Sequence, residues 1–588
     1  MELRQHKGTR LGAGMRTFDP HDVQRFRGDG QWRDRTFLDD FLDHAGASPD
    51  KAAVVSYVQG RTLPETVTYG QLRAYVDRFA AVLVGLGVER GDVVSIQVAN
   101  GWEGPALALA TMRVGAVPNP IPIIYREHEV RHMMEDAGTK VYVSPQRFRG
   151  YDFEEMALRL HREVPSLTHV FFTDGDATVD AEHDFARHFI EPRRELAPKL
   201  PAILEALRPG ADDLAMLVFT SGTTGKPKAA LHTFNTAWSG YRNVIVDALD
   251  LTSDDVAFMA STLGHLTGFI HGMLVPLSMG QKVVYQDLWD VDGMLDMMET
   301  EGLTWTLSAT TFALDMVDAQ RHRNRPLASK LRAFACGGAS IPPGVAVDMD
   351  RIFATSLVPL WGCSETGIAS IHHLGSSVEV LDASDGYPVP WQETRVVDET
   401  LAPVEAGTIG NLQVRGPGVF AGYLGRADLT EGAFSPDGWY DTGDLGKVLP
   451  DGAIRIEGRS KDIIIRGGQN ISAVEIESAL YKHPAIQDVA VVSYPDDRLG
   501  ERVCAVVVPR EGGAALTLED VVAFLDAAGM AKPFWPQRLL VLHDLPRTAS
   551  GKVQKFVLRK GLAEEAGKPP HDRPQSPAQS EVQPQGQP

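Results

Sequence analysis

The sequence predicts an α/β protein: a large N-terminal domain of layered, largely parallel sheets carrying a small β-rich subdomain, then a small α+β C-terminal domain. Three observations carry this expectation. At 588 residues the chain is too long for one ordinary hydrophobic core, so two or more domains are expected. Segments with apolar residues at helical spacing alternate with short β-branched runs, the rhythm of helices layered on parallel strands. Beyond about Val380 that rhythm gives way to strands punctuated by Gly, Pro and Asp.

The elements follow in order. Residues 1–34 are polar and rich in Arg and Asp, and read as an irregular lead-in to a large domain over 35–460. Tyr69 to Val88 reads as a helix, Glu89 to Asp92 as a turn, Val93 to Val98 as a strand and Gly104 to Val114 as a second helix. Strands are expected at Val141–Val143, Val170–Phe172, Leu214–Phe219, Lys282–Tyr285, Ala333–Ala335 and Thr355–Leu360, the last running into a Trp-Gly turn. Residues 380–460 form the β-rich subdomain, with Gly410–Pro417 and Gly422-Tyr423 among its markers. The small domain spans 461–562: strands at Ile463–Ile465, Val489–Val492, Val503–Val508 and Leu539–Leu542, and helices at Val474–Tyr481, Leu518–Ala527 and Val553–Arg559. In the first of these helices Glu475 and Glu477 are expected to face outward. Residues 563–588 are rich in Pro, Gln and Ser, cannot bury enough apolar surface to order, and read as a disordered tail.

A net charge of −20 argues against a nucleic-acid binder, which would show a basic stripe. It also requires that any anionic substrate be met by local cations. Cys336, Cys363 and Cys504 are far apart and form no C-x-x-C pair, so neither a zinc site nor a disulfide framework is expected. No apolar run reaches transmembrane length and the first residues hold no apolar signal core, so the expected location is the cytoplasm.

The most informative stretch is Leu217 to Thr233. An apolar strand breaks into Thr220, Ser221, Gly222, Thr223, Thr224 and Gly225, followed by Lys226 and Lys228. Glycines let the backbone wrap a ligand, hydroxyls donate hydrogen bonds and lysines add positive charge, which suits a polyphosphate. The glycine spacing is not that of a Walker A loop. Further on stand Trp361-Gly362-Cys363-Ser364-Glu365, Tyr440-Asp-Thr-Gly-Asp444, Gly458-Arg459-Ser-Lys461-Asp462 and Pro546-Arg-Thr-Ala-Ser-Gly-Lys552. Together, in order and spacing, these resemble the motifs of the adenylate-forming superfamily of acyl-CoA synthetases, peptide-synthetase adenylation domains and luciferases. The resemblance covers roughly residues 35–562.

The resemblance implies ATP-dependent activation of a small-molecule carboxylic acid as an acyl-adenylate, with Mg²⁺, followed by transfer to CoA. Lys552, by itself an ordinary surface lysine, would bridge the acid oxygen and the α-phosphate. Glu365, which could equally cap a helix, would ligate Mg²⁺, because that ion takes one or two carboxylates plus phosphate oxygens and water. Thr220 is its expected hydroxyl partner. Asp444 and Arg459 look like a ribose clamp, while Gly337, Gly338, Ala339 and Ser340 would let adenine approach the backbone. His265 matches the aromatic position beside the acid's carboxylate. Lys461 falls at the hinge about which the small domain moves. Gly467 and Gly468 would line a tunnel for the CoA pantetheine.

Leu263–Gly272, Cys336–Pro342 and Phe148–Phe153 resemble a narrower group, the short- and medium-chain fatty acyl-CoA synthetases and cyclohexanecarboxylate-CoA ligases. The acyl pocket implied, with Thr267, Gly268, Ala309 and Thr310, holds no obvious cation for a second carboxylate, so a monocarboxylic aliphatic or alicyclic acid fits best. Two positions depart from the common pattern: Trp391 stands where a glycine often follows, and Ala473 replaces a proline. The competing readings are a ligase that loads a carrier protein and a catalytically weak binding protein on the same fold. Neither oligomeric state nor pathway is legible.

Overall fold

The computed structural model describes residues 12, 14–175, 179–191, 198–220, 227–323, 325–338, 341, 344–459, 462, 464–466, 469–496, 500–510, 516–528, 530, 532–547 and 552–566. Two large sheets form the layered body. One has nine strands in the order Tyr387–Pro388, Gly367–Ile371, Ser356–Cys363, Ala333–Cys336, Trp305–Ser308, Val256–Met259, Lys282–Gln286, Ala52–Tyr57 and Glu65–Thr68. Its six central strands pair in parallel, and antiparallel pairings occur toward its two edges. The other is an all-parallel sheet ordered Val117–Pro120, Val93–Ile96, Thr139–Ser144 and His169–Phe172. Parallel sheets need both faces covered, and Val93–Ile96 is buried along its whole length.

The helices that cover these sheets carry local start signals. Tyr69–Gly85 begins with a capping box in which Thr68 and Gln71 satisfy each other's backbone N–H groups. Residues 380–460 include an antiparallel sheet of Glu393–Val397, Gly410–Arg415, Tyr440–Val448 and Ile454–Arg459. The small domain has its own core, built on Ile464, Ile476, Leu480, Val491, Val503, Val521 and Leu525.

Four expectations are corrected. The lead-in is not irregular: Pro20–Gly28 is a helix, started by Asp19 as N-cap and by proline in the first turn. Phe18, Phe26 and Trp32 bury themselves against the large domain. Trp361-Gly362 is no turn, because the strand runs on to Cys363 and pairs with Gly367–Ile371. Glu477 faces inward: Lys555 Nζ lies 2.7 Å away and Val491 N–H donates to it at 2.6 Å, which makes the burial tolerable. The last helix starts at Lys555 and continues to Ala566, past the expected boundary; residues 567–588 lie outside the described ones. Glycine is required where backbones meet. A Cβ on Gly268 would lie 2.1 Å from Thr262 O, so this residue is a packing contact and not a cavity wall.

Candidate active site

A cavity of about 1380 Å³ lies between the large and small domains. The strands Leu214–Thr220 and Lys228–Thr233 form an antiparallel hairpin whose register sets Thr220 opposite Lys228. Gly422-Tyr423 adds a third strand to this hairpin, pairing Tyr423 with Ala230. Tyr423 therefore leaves the β-rich subdomain to join the phosphate-loop strands, a pairing that local sequence could not disclose.

This arrangement makes a charged group on the cavity wall. Tyr423 OH donates to Glu365 Oε1 at 2.7 Å and accepts from Lys228 Nζ at 2.5 Å. Lys228 Nζ is 3.9 Å from the same carboxylate oxygen and 3.7 Å from the Tyr423 ring centroid. Burial, with the Glu365 charge beside it, raises the Tyr423 pKa far above its usual value, so the phenol stays a donor. Tyr440 OH stands 3.4 Å from Tyr423 OH and is likewise held protonated by burial.

Backbone contacts fix Glu365. Phe420 N–H donates to Glu365 O at 2.8 Å. The preceding carbonyl, Ser364 O, accepts from His232 Nε2 at 2.6 Å and from Tyr241 OH at 3.1 Å. Burial pushes the His232 pKa down to about 4, so the imidazole is neutral and its single proton is committed to Ser364. The sequence reading assigned no role to His232, Tyr241 or Tyr423. Only the long separations bridged by these bonds reveal one.

His265 lies at the N-cap of a short helix, where Thr267 N–H donates to its Nδ1 at 3.3 Å. Burial lowers its pKa to about 4, so the ring is neutral and the remaining proton sits on Nε2. His265 can thus offer a hydrogen bond to a carboxylate without adding charge. Leu266, Thr267, Leu307, Ala309, Thr310 and Leu360 line the cavity with it, and Gly268 does not. His271, pushed down to about 3 by burial, also borders the cavity.

Three buried imidazoles bear on pH stability. A folded pKa near 4 against an unfolded value of 6.5 means that the unfolded chain binds the proton first as pH falls. Stability from His232 is therefore complete above 6.5 and lost progressively toward 4, by about 2 kcal/mol at pH 5. Thermal melts from pH 7.5 to 5 should show this fall, and His232→Gln should flatten it; an unchanged slope would contradict the assignment.

From the small domain, Lys552 reaches the cavity rim as an exposed side chain. Its loop is closed by a bridge between Arg547 and Val553 and by Gln554 N–H donating to Pro546 O at 2.7 Å. Arg547, paired with Asp488, lines the same space.

Thr220, Gly337, Gly338, Gly362, Cys363, Ser364 and Glu365 all lie on the wall. Gly338 has φ +83°, a conformation that favours glycine. Trp361 and Asp444 are not on the wall. Both are buried, and Trp361 Nε1 donates to Asp444 Oδ2 at 3.0 Å, while Asp441 to Gly443 face the cavity from the same strand. Asp444 pairs in backbone register with Arg459. The side chain of Arg459 lies outside the described residues, as do Ser221, Gly222, Thr223, Thr224, Gly225, Lys226, Ala339, Ser340, Lys461, Gly467 and Gly468.

The donor set suits Mg²⁺. One buried carboxylate, Glu365, stands beside an open cavity that Thr220 also lines, and no group of three His, Cys, Asp or Glu occurs among the described residues. Mg²⁺ needs no all-protein cage when phosphates and water complete its shell. Cys363, with its thiol pushed up to about 12 by burial, is no thiolate competitor.

The chain is similar to known proteins over most of its length. The model of the AMP-binding enzyme family matches residues 41–424, and that of the AMP-binding enzyme C-terminal domain matches 475–552. The medium-chain fatty-acid–CoA ligase of Escherichia coli is 34% identical over 93% of this chain and 94% of its own. The salicyl-AMP ligase / salicyl-S-ArCP synthetase of Mycobacterium tuberculosis is 31% identical over 94% of this chain and 95% of its own. Among solved structures, ATP-bound MatB from Rhodopseudomonas palustris is similar with a TM-score of 0.75 and 28% identity, over 89% of this chain and 98% of that one.

Proposed function

Because the chain belongs to the AMP-binding enzyme family and is an adenylate-forming acid ligase, we propose that it activates a short- or medium-chain or alicyclic monocarboxylic acid and passes the acyl group to CoA. The observation that carries this reading is one cavity bordered by Glu365, Lys228, His265 and Lys552, with apolar side chains beside His265. Similarity to the E. coli medium-chain ligase supports the choice of acid.

Both reactants are anions, so the chain must cancel charge and align them. His265 Nε2–H donates to one carboxylate oxygen and leaves the other to attack the α-phosphorus of ATP. Lys552 would bridge the acid oxygen and the α-phosphate and offset the charge that accumulates there. Pyrophosphate departs toward the wall of Thr220 and Lys228. Glu365 and Thr220 would hold Mg²⁺, which when bound neutralises phosphate charge. Tyr423 and Lys228 hold the Glu365 carboxylate in place. In the second half-reaction the sulfur of CoA bonds to the acyl carbonyl carbon, its thiol proton passes to solvent, and AMP leaves with the electrons of the broken acyl–phosphate bond.

The decisive assay measures AMP release from ATP over linear, alicyclic and aromatic acids, with and without CoA. Turnover with medium-length or alicyclic acids that requires CoA is expected. Turnover only with aromatic acids and a carrier protein would favour the alternative set by the salicyl-loading relative. No AMP from any acid would favour a binding protein.

A further inference from the structure

We infer that the segment Gly14–Trp32 is a clamp that positions Tyr423, and through it Glu365 and Lys228, for nucleotide binding. This inference rests on the proposed role of Glu365 and Lys228 at the phosphates. The segment precedes the region matched by the AMP-binding family model.

Several contacts of this segment converge on one loop, Gly416–Leu424. Arg16 N–H donates to Ala421 O at 2.8 Å, and its guanidinium donates to Phe420 O at 3.1 Å and Val419 O at 3.3 Å. The guanidinium is sandwiched between the Phe18 and Phe434 rings, 4.1 and 4.6 Å from their centroids. Such a planar fork, stacked on both faces, holds two successive carbonyls in a way that lysine could not. At the far end Trp32 Nε1 donates to Pro417 O at 3.0 Å.

The active-site side of the same loop is what these contacts hold. Phe420 N–H bonds Glu365 O, and Tyr423 OH bonds the Glu365 carboxylate. Thr430 joins the two sides: its buried hydroxyl accepts from Tyr423 N–H at 2.9 Å, and its one proton is shared between Gly14 O at 2.9 Å and Arg426 O at 3.0 Å. Gly14 and Gly422 meet backbone to backbone. A Cβ on Gly14 would lie 2.3 Å from Tyr423 O, and one on Gly422 would lie 2.4 Å from Gly14 O. The strand carrying Tyr423 is only two residues long, so its own ladder cannot fix it. The clamp supplies what that short strand lacks.

Arg16 and Thr430 are thus positioning residues. In the full chain, Thr430→Val and Arg16→Ala should weaken MgATP binding about 5- to 30-fold by calorimetry. Thr430→Ser, which keeps the hydroxyl, should stay within about 2-fold. KM for the acid should hardly move in any of them. Unchanged MgATP affinity in Thr430→Val, or an equal rise in both KM values, would overturn the clamp even if the melting temperature falls. Should Arg16→Ala fail to fold, the valine and serine pair at Thr430 decides alone. Glu365→Gln is the control on the underlying reading. If it leaves MgATP affinity unchanged, the phosphate-site assignment fails; if it weakens binding while Thr430→Val does not, only the clamp fails.

Discussion

Replacing Lys552 by alanine should slow acyl-adenylate formation by about 10²- to 10³-fold, the loss typical of removing one contact to charge that develops in a transition state. Lys552 is exposed on a loop closed by backbone contacts of its neighbours. Thioester formation from supplied acyl-adenylate should be largely retained, because the bond between the acid oxygen and the α-phosphorus, where Lys552 is proposed to act, is already made by then. Pyrophosphate exchange reads the first step, and CoA consumption from synthetic acyl-adenylate reads the second. Equal loss in both would remove Lys552 from the role proposed for it.

The second large effect concerns stability. Lys555→Met should destabilise the small domain by about 3–5 kcal/mol, because it strands the Glu477 charge in a buried site. Glu477 also accepts from Val491 N–H on the strand Ile486–Asp496 of that domain, so the helix and the sheet loosen together. The pH dependence has a defined sign. Burial already raises the Glu477 pKa even with Lys555 in place, and loss of the lysine raises it further. The folded variant then holds a proton that the unfolded chain releases above its ordinary carboxylate pKa, so stability falls as pH rises. Chemical denaturation at pH 5 and pH 8 should show the larger deficit at pH 8. Glu477→Gln in the same background should restore much of the loss, and equal deficits at both pH values would refute the stranded-charge account.

How far the sequence reached is clearest at particular residues. Tyr69–Gly85 and Leu518–Ala527 were legible because apolar periodicity and a capping threonine are local signals. The lead-in helix was missed because Asp and Arg dominate it, although Asp19-Pro20 is a start signal that could have found it. Glu477 was misplaced because a charged residue on a helix is normally solvated, and its partner lies far along the chain. At the site, Thr220, His265, Glu365 and Lys552 were named from motifs, and the cavity borders on all of them. Tyr423, His232 and Tyr241 were not given a role, since none belongs to a short pattern with chemical meaning.

The sequence by itself determined the family, the layered α/β class and the residue types that a polyphosphate and an activated acid require. Those properties are written in local composition and spacing, which survive without knowledge of the third dimension. Only the tertiary structure decided which hydroxyl reaches Glu365, which proton His265 offers, and that Gly268 packs a backbone while Trp361 and Asp444 stand behind the wall. The contacts of Glu365 with Tyr423 and of Trp361 with Asp444 join residues tens of positions apart. Such contacts follow from strand register and close packing, which no periodicity along one segment encodes.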